Sequence, residues 1–307
     1  MADITASMVK DLREKTGAGM MDCKKALSET GGDLEAAVDW LRAKGIAKAA
    51  RKASRVAAEG LIGLAVEGRK AALVEVNSET DFVARNPDFQ AMVNAIAAAA
   101  LKTGGDVERL RDTAAQGSGR RIADKLAEMV ATIGENMTLR RTAVLSVEQG
   151  VIGSYLHNQI APGLGKIGVL VAVESTAGAD KLASLARQLA MHIAASNPVA
   201  LDLGGVAPEV LEREKAILAE KNAGKPANVL QRIFESGLKS FAKEHTLLEQ
   251  AYVHDSAKSV AQVLKEAEAQ LGAPVRLAGF VRYQLGEGIE KYAGDFAAEV
   301  AKAAQGT

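Results

Sequence analysis

Gly60-Leu61-Ile62-Gly63 recurs as Gly150-Val151-Ile152-Gly153, and the stretch after each copy recurs in kind. After each comes a loop and a second β-rich run, Ala72-Leu73-Val74-Glu75-Val76 in the first copy and Gly168-Val169-Leu170-Val171-Ala172-Val173 in the second. Each run gives way to a long alanine-rich helix, from about Pro87 to Leu101 and from about Asp180 to Ala195. The second ends at Asn197-Pro198, because proline disfavours helix at the residue before it. A chain that builds hairpin plus helix twice folds into two related α+β halves with antiparallel strands. The halves differ after the second strand, where the first has Asn77-Ser78-Glu79-Thr80-Asp81-Phe82-Val83-Ala84-Arg85 and the second only Glu174 to Ala179. The first half therefore carries an extra loop with a phenylalanine.

Three shorter helices precede the repeat. Thr5 caps the first, whose Met8, Val9 and Leu12 share a face, and Gly17-Ala18-Gly19 stops it. The second places Met20, Cys23 and Leu27 at spacings of three and four before Gly31-Gly32; Asp33 caps the third, with Val38 and Leu41, up to Gly45. A head as small as 1–45 is marginal alone, and such modules serve to be held against something. Lys48, Arg51, Lys52 and Arg55 make 46–58 a basic helical linker, read as solvated rather than as a nucleic-acid contact.

The first core subdomain spans 59–145 and the second 146–204 with 246–285, the latter interrupted by an insertion at 205–245. Behind Pro208 in the insertion, Val210, Leu211, Ile217 and Leu218 repeat at seven-residue spacing. After the loop Asn222 to Pro226, a return helix presents Leu230, Ile233, Phe234, Leu238 and Phe241. So short a connection predicts an antiparallel, coiled-coil-like helical hairpin, a structural arm or a self-association surface. Asp255-Ser256 caps a helix through Leu271, and Pro274 to Leu285 reads as a strand. The C-terminal module, 286–307, turns at Gly286-Glu287-Gly288 into a last helix from about Asp295 to Ala304.

Lysine and arginine number 38 against 38 aspartate and glutamate, so nucleic acid is not the default partner. The lone Cys23 forms no intramolecular disulfide, and Lys10 and Asp11 stand where a signal peptide needs an apolar core. Ala95 to Leu101 falls short of the roughly 20 apolar residues that cross a bilayer, so no membrane span is expected and the cytoplasm is the expected compartment. Gly163-Leu164-Gly165-Lys166-Ile167-Gly168 fits the dinucleotide fingerprint by letter. A strand comes after it where that motif needs a helix, which predicts a hairpin loop. His157, His192, His245 and His254 have no zinc-site spacing with one another or with Cys23, and no phosphate loop or nucleophile elbow occurs. Asp81 lacks a local carboxylate or histidine partner for general acid–base work. No cofactor, metal or catalytic centre is expected.

The runs Leu12-Arg13-Glu14-Lys15-Thr16-Gly17-Ala18-Gly19-Met20-Met21-Asp22-Cys23-Lys24-Lys25-Ala26-Leu27 and Thr80-Asp81-Phe82-Val83-Ala84 are the most distinctive in the chain. Gly153-Ser154-Tyr155 with His157, Ala190-Met191-His192 with Ala194-Ala195, and Gly286-Glu287-Gly288-Ile289-Glu290-Lys291 continue the pattern nearly to the end. On these motifs the sequence resembles the bacterial elongation factor Ts family, exchange factors for elongation factor Tu. It departs from the family between His157 and Gly168, a stretch longer than the family's usual hairpin connection.

The resemblance implies an α+β fold: a three-helix UBA-like (ubiquitin-associated-like) N-terminal module, a two-subdomain core, a helical-hairpin insertion and a C-terminal helical module. It implies that head and tail grip the nucleotide-binding domain of elongation factor Tu, in its GDP-bound and nucleotide-free forms, the head through Arg13, Met20 and Met21. His157 matches a position that meets another domain of that partner. A magnesium-dislocation loop falls at Thr80, Asp81, Phe82 and Val83. Burying Phe82 between partner helices would recover about 1.5–3 kcal/mol while displacing the groups that support the magnesium ion and the phosphates. Asp81 would fix the loop or meet partner donors. Taken alone, the same residues allow plainer roles: helix-core packing for Met20 and Met21, and a capped helical turn at Thr80 and Asp81 with Phe82 turned inward. The rival functions are a non-exchanging scaffold or chaperone for the GTPase and a small-molecule enzyme of α+β type.

Overall fold

The computed structural model describes residues 4–115 and 119–290. At the start of α1 (Ala6–Thr16) the Thr5 hydroxyl accepts the Met8 N–H, and Gly17 closes the helix in the left-handed region. With α2 (Met20–Glu29) and α3 (Leu34–Lys52), capped by Asp33, it encloses Leu12, Cys23, Ala26, Leu27 and Ala37. Two expectations fail here. The third helix does not stop at Gly45 but runs on to Lys52; a Cβ on Gly45 would lie 3.3 Å from that of Ala131, so the glycine marks a close helix crossing. Met20 does not join Cys23 and Leu27 on the inward stripe, because the first turn of α2 lies outside the buried cluster.

The repeat builds two antiparallel sheets. In the first half β1 (Glu59–Glu67) and β2 (Lys70–Ser78) make a hairpin, α4 (Pro87–Ala100), α5 (Val107–Asp112) and α6 (Ile122–Ile133) come next, and β3 (Met137–Ser146) returns beside β2. In the second, β4 (Gly150–His157) is followed by the two-residue β5 (Leu164–Gly165), by β6 (Ile167–Ser175), which pairs with β4, and by α7 (Ala179–Ser196). The hairpin α8 (Pro208–Lys221) and α9 (Ala227–His245), the ribbon β7 (Ala251–Tyr252) and β8 (Asp255–Ser259), and α10 (Val260–Leu271) intervene before β9 (Val275–Gln284) joins β6. The two glycines of each motif do one task apiece, twice. Gly60 and Gly150 sit at φ of 120° and 119°, and a Cβ there would come within 2.2 Å of Val76 O and 2.0 Å of Val173 O. A Cβ on Gly63 would meet Val93 of α4 and one on Gly153 the backbone of Ala186 in α7, so the second glycine lets the helix lie close to its sheet.

Strand alternation then assigns the layers. Ala72, Val74 and Val76 face α4 and α6, while Ala71 and Leu73 face the second sheet; Val169, Val171 and Val173 face α7 and α10, while Leu170 and Ala172 face the first. Helices, sheet, sheet and helices stack in that order, which is why β2 and β6 read as almost unbroken apolar runs. The long connection after His157 sends β5 across to pair with β1, making it the fourth strand of the first sheet, with Leu164 buried in the first half's core. That connection clamps the two halves together.

The helical hairpin is confirmed in form: no residue of α8 and only Ala242 of α9 is buried, so it projects from the core. The expected cap at Asp255-Ser256 is overturned. Those residues lie in β8, and Ser259 starts α10 in a reciprocal capping box with Gln262. The turn at Gly286-Glu287-Gly288 is present, and the last helix expected at about Asp295 to Ala304 lies outside the described residues. Among the described residues no helix is long and apolar enough to cross a membrane.

Candidate functional site

Phe82 stands on a corner whose two ends are fixed. Downstream, Val83–Arg85 form a single 3-10 turn in which Val83 and Ala84 sink into the first half's core. Ala84 O accepts from Gln90 Nε2 at 2.9 Å, and Asn86 Oδ1 caps α4 by accepting the N–H groups of Asp88 at 2.8 Å and Phe89 at 3.2 Å. Upstream, the Ser78 hydroxyl donates to Thr80 O at 2.9 Å. Thr80 donates its N–H to one oxygen of Glu135 at 2.9 Å and its hydroxyl to the other at 2.6 Å. Asp81 is exposed and lies 4.0 Å from Arg85, and Phe82 is 76% exposed. The inward alternative for Phe82 is thereby excluded, because its neighbour Val83 takes the inward place. The capping alternative fails too, since the 3-10 turn has Phe82 at its N-cap and no side-chain cap bond from Thr80 or Asp81; Asn86-Pro87 does start the next helix, as that alternative had it.

A second candidate surface lies at the α1–α2 corner. Arg13 is in the last turn of α1 and exposed, and Met20 and Met21 open α2 with 60% and 78% of their surface in solvent. With Phe82 they are the three most exposed large apolar side chains among the described residues, which is the informative departure from ordinary burial. The packing alternative for the two methionines does not survive. Beneath them Asp22 accepts from Lys44 at 2.7 Å and Lys48 at 2.8 Å, tying α2 to α3, and the Lys44 and Lys48 bonds hold its carboxyl below the usual range. Cys23 is buried, and burial pushes its thiol up, away from the reactive thiolate.

His157 ends β4 and is exposed, with the Tyr155 hydroxyl 3.1 Å from its Nδ1. Among the described residues no hydrogen bond or ion pair joins the methionine corner, the Phe82 corner and His157, so they are three separately supported stations. Nor does a group of three or more His, Cys, Asp or Glu side chains gather in metal-binding geometry among those residues. This arrangement offers protruding apolar side chains on rigid supports, the chemistry of docking on another macromolecule. Glu135 and its neighbour Asn136 carry no signal in the sequence as site residues; their link to the loop exists only once β3 folds back beside β2.

Residues 79–287 match the family model described as Elongation factor TS. The chain is 65% identical over 307 residues to the elongation factor Ts of Methylobacterium sp. strain 4-46, covering 100% of both chains. It is 64% identical over 304 residues to that of Xanthobacter autotrophicus, with 99% of each chain covered. Against that of Bradyrhizobium sp. strain ORS 278 the identity is 61% over 305 residues, again covering 99% of each.

Proposed function

The chain belongs to the elongation factor Ts family, and from that premise we propose that it docks on elongation factor Tu in the cytoplasm and drives GDP out of it without covalent chemistry. In this reading Arg13, Met20 and Met21 grip the nucleotide-binding domain and His157 meets a second domain. Phe82 enters between helices beside the magnesium and phosphate site. A bound Mg²⁺ demands near-ideal geometry from its ligands, so displacing the elements that carry them loosens ion and nucleotide together.

The observation that carries this is the exposure of Phe82 on a corner anchored at both ends. Exchange needs a coupling free energy: the factor must favour the empty GTPase over the GDP form, and nucleotide must in turn expel the factor. Burial of one phenylalanine contributes about 1.5–3 kcal/mol, and each tenfold acceleration needs about 1.4 kcal/mol. Phe82 therefore supplies part of a large effect, and docking elsewhere supplies the rest. The test is release of fluorescent GDP from elongation factor Tu at saturating factor. Phe82→Ala is expected to slow release by about tenfold or more while its thermal midpoint stays unchanged. Binding of the wild-type chain with no acceleration of release would make it a scaffold or chaperone instead.

A further inference from the structure

Residues 79 and 80 lie past the end of the β2 ladder, so their backbone groups need partners from outside the sheet. The turn between α6 and β3 supplies them. Both hydrogen bonds of the Glu135 carboxylate go to Thr80, at 2.9 Å to the N–H and 2.6 Å from the hydroxyl. The exchange is mutual, because Glu79 accepts the Asn136 N–H at 2.5 Å and also lies 3.5 Å from Arg55. The turn is held from its far side as well: buried Asn136 donates to Arg55 O at 2.7 Å, and the Lys52 ammonium donates to Gly134 O. Glu135 itself is only half-buried and belongs to none of the apolar clusters.

We infer that Glu135 is a positioning residue for exchange, fixing the path of residues 79–81 so that Phe82 meets the GTPase already oriented. The inference rests on Phe82 being the wedge that enters the partner. A carboxylate that accepts two bonds from one residue, two positions before the wedge, removes freedom that would otherwise be lost on docking. Glu135 acts only through Phe82, so removing it should matter only while the phenylalanine is present.

Fluorescent-GDP release from elongation factor Tu, measured against concentration of full-length factor, tests this with Glu135→Ala, Glu135→Gln and Thr80→Val in wild-type and Phe82→Ala backgrounds. Glu135→Ala is expected to lower the saturating release rate about tenfold with the half-saturating concentration changed by about twofold at most. Glu135→Gln, which can accept only one of the two bonds, and Thr80→Val, which keeps the N–H bond, should each lose less. In the Phe82→Ala background Glu135→Ala should lose nothing further. Thr80→Val carries the test if Glu135→Ala lowers the thermal midpoint. Equal fold losses in both backgrounds, or a wild-type saturating rate for Glu135→Ala beside a slow Phe82→Ala, overturns the inference alone. A wild-type rate for Phe82→Ala itself overturns the wedge and this inference with it.

Discussion

Glu75 is a carboxylate with no exposed surface, and its neighbours decide its charge. Burial alone would raise its pKa, but the Gly286 N–H, Arg141 and Asn77 outweigh that and hold the carboxyl below its usual range. Arg140 adds a bond at 3.1 Å and continues to Glu287 O at 2.7 Å, while Arg141 reaches Gln284 O at 3.0 Å. One side chain thus fixes the turn after β9 to the first sheet. Glu75→Ala strands this cationic cluster and should cost about 3 kcal/mol, read as a lower urea midpoint at unchanged slope. As pH falls past the ordinary value of 4.5 the unfolded chain takes up this proton before the folded one, so the contribution is complete above that pH and is lost below it. His192 behaves alike in a higher window. Its Nδ1 accepts the Val253 N–H at 3.2 Å and its Nε2–H donates to Gln250 at 3.1 Å, a neutral tautomer that a second proton would break. Burial, reinforced by His254 and opposed by the Gln250 bond, lowers its pKa from 6.5, so stability falls as pH drops below that value. Urea unfolding at about pH 7.5 and about pH 5.5 should show this loss in the wild type and a smaller one in His192→Gln; equal losses would count against it.

Between residue and molecule the repeated glycine motif does the most to set geometry. Gly153→Ala drives a Cβ to 2.3 Å from Ala186 O, and a helix backbone has no side-chain rotamer with which to yield. The variant should lose about 1–3 kcal/mol, measured by denaturant unfolding, and an unchanged midpoint would mean that α7 shifts freely. The opening hairpins and helices of both halves were legible because β-branched runs between glycines and alanine-rich stretches announce themselves locally. Other strands were not, β3 and β8 among them. In β3, Arg140 and Arg141 interrupt the apolar pattern, since one edge of the first sheet uses them to reach Glu75. In β8, Asp255-Ser256 has the composition of a helix start, and only pairing with β7 makes it a strand; the Ser259 to Gln262 spacing was the better signal. The Phe82 loop was legible by comparing the two halves. Glu135, 55 residues from Thr80 in sequence, was not, because nothing local marks a bond that tertiary folding creates.

At the scale of the molecule, the proposed grip and the proposed wedge fall on different parts of one framework. The head is joined to the core where α3 crosses α6, with Arg42 3.3 Å from Asp124 and Lys52 bonded to Gly134 O beside the turn that holds Thr80. The methionine corner and the Phe82 corner therefore sit at set positions on one body, yet among the described residues no hydrogen bond or ion pair joins the two directly. If the head supplies affinity and Phe82 the acceleration, their variants must separate in kinetics. Met20→Ser with Met21→Ser removes two exposed thioethers without touching the buried head cluster. Burying one such side chain contributes about 1.5–3 kcal/mol, so the half-saturating factor concentration should rise about tenfold or more while the saturating GDP-release rate holds. Phe82→Ala should do the reverse, lowering the saturating rate with a smaller change in half-saturation. A methionine variant that saturates at the wild-type concentration but releases GDP slowly would mean that the head takes part in displacing the nucleotide, and the separation of grip from wedge would have to be given up.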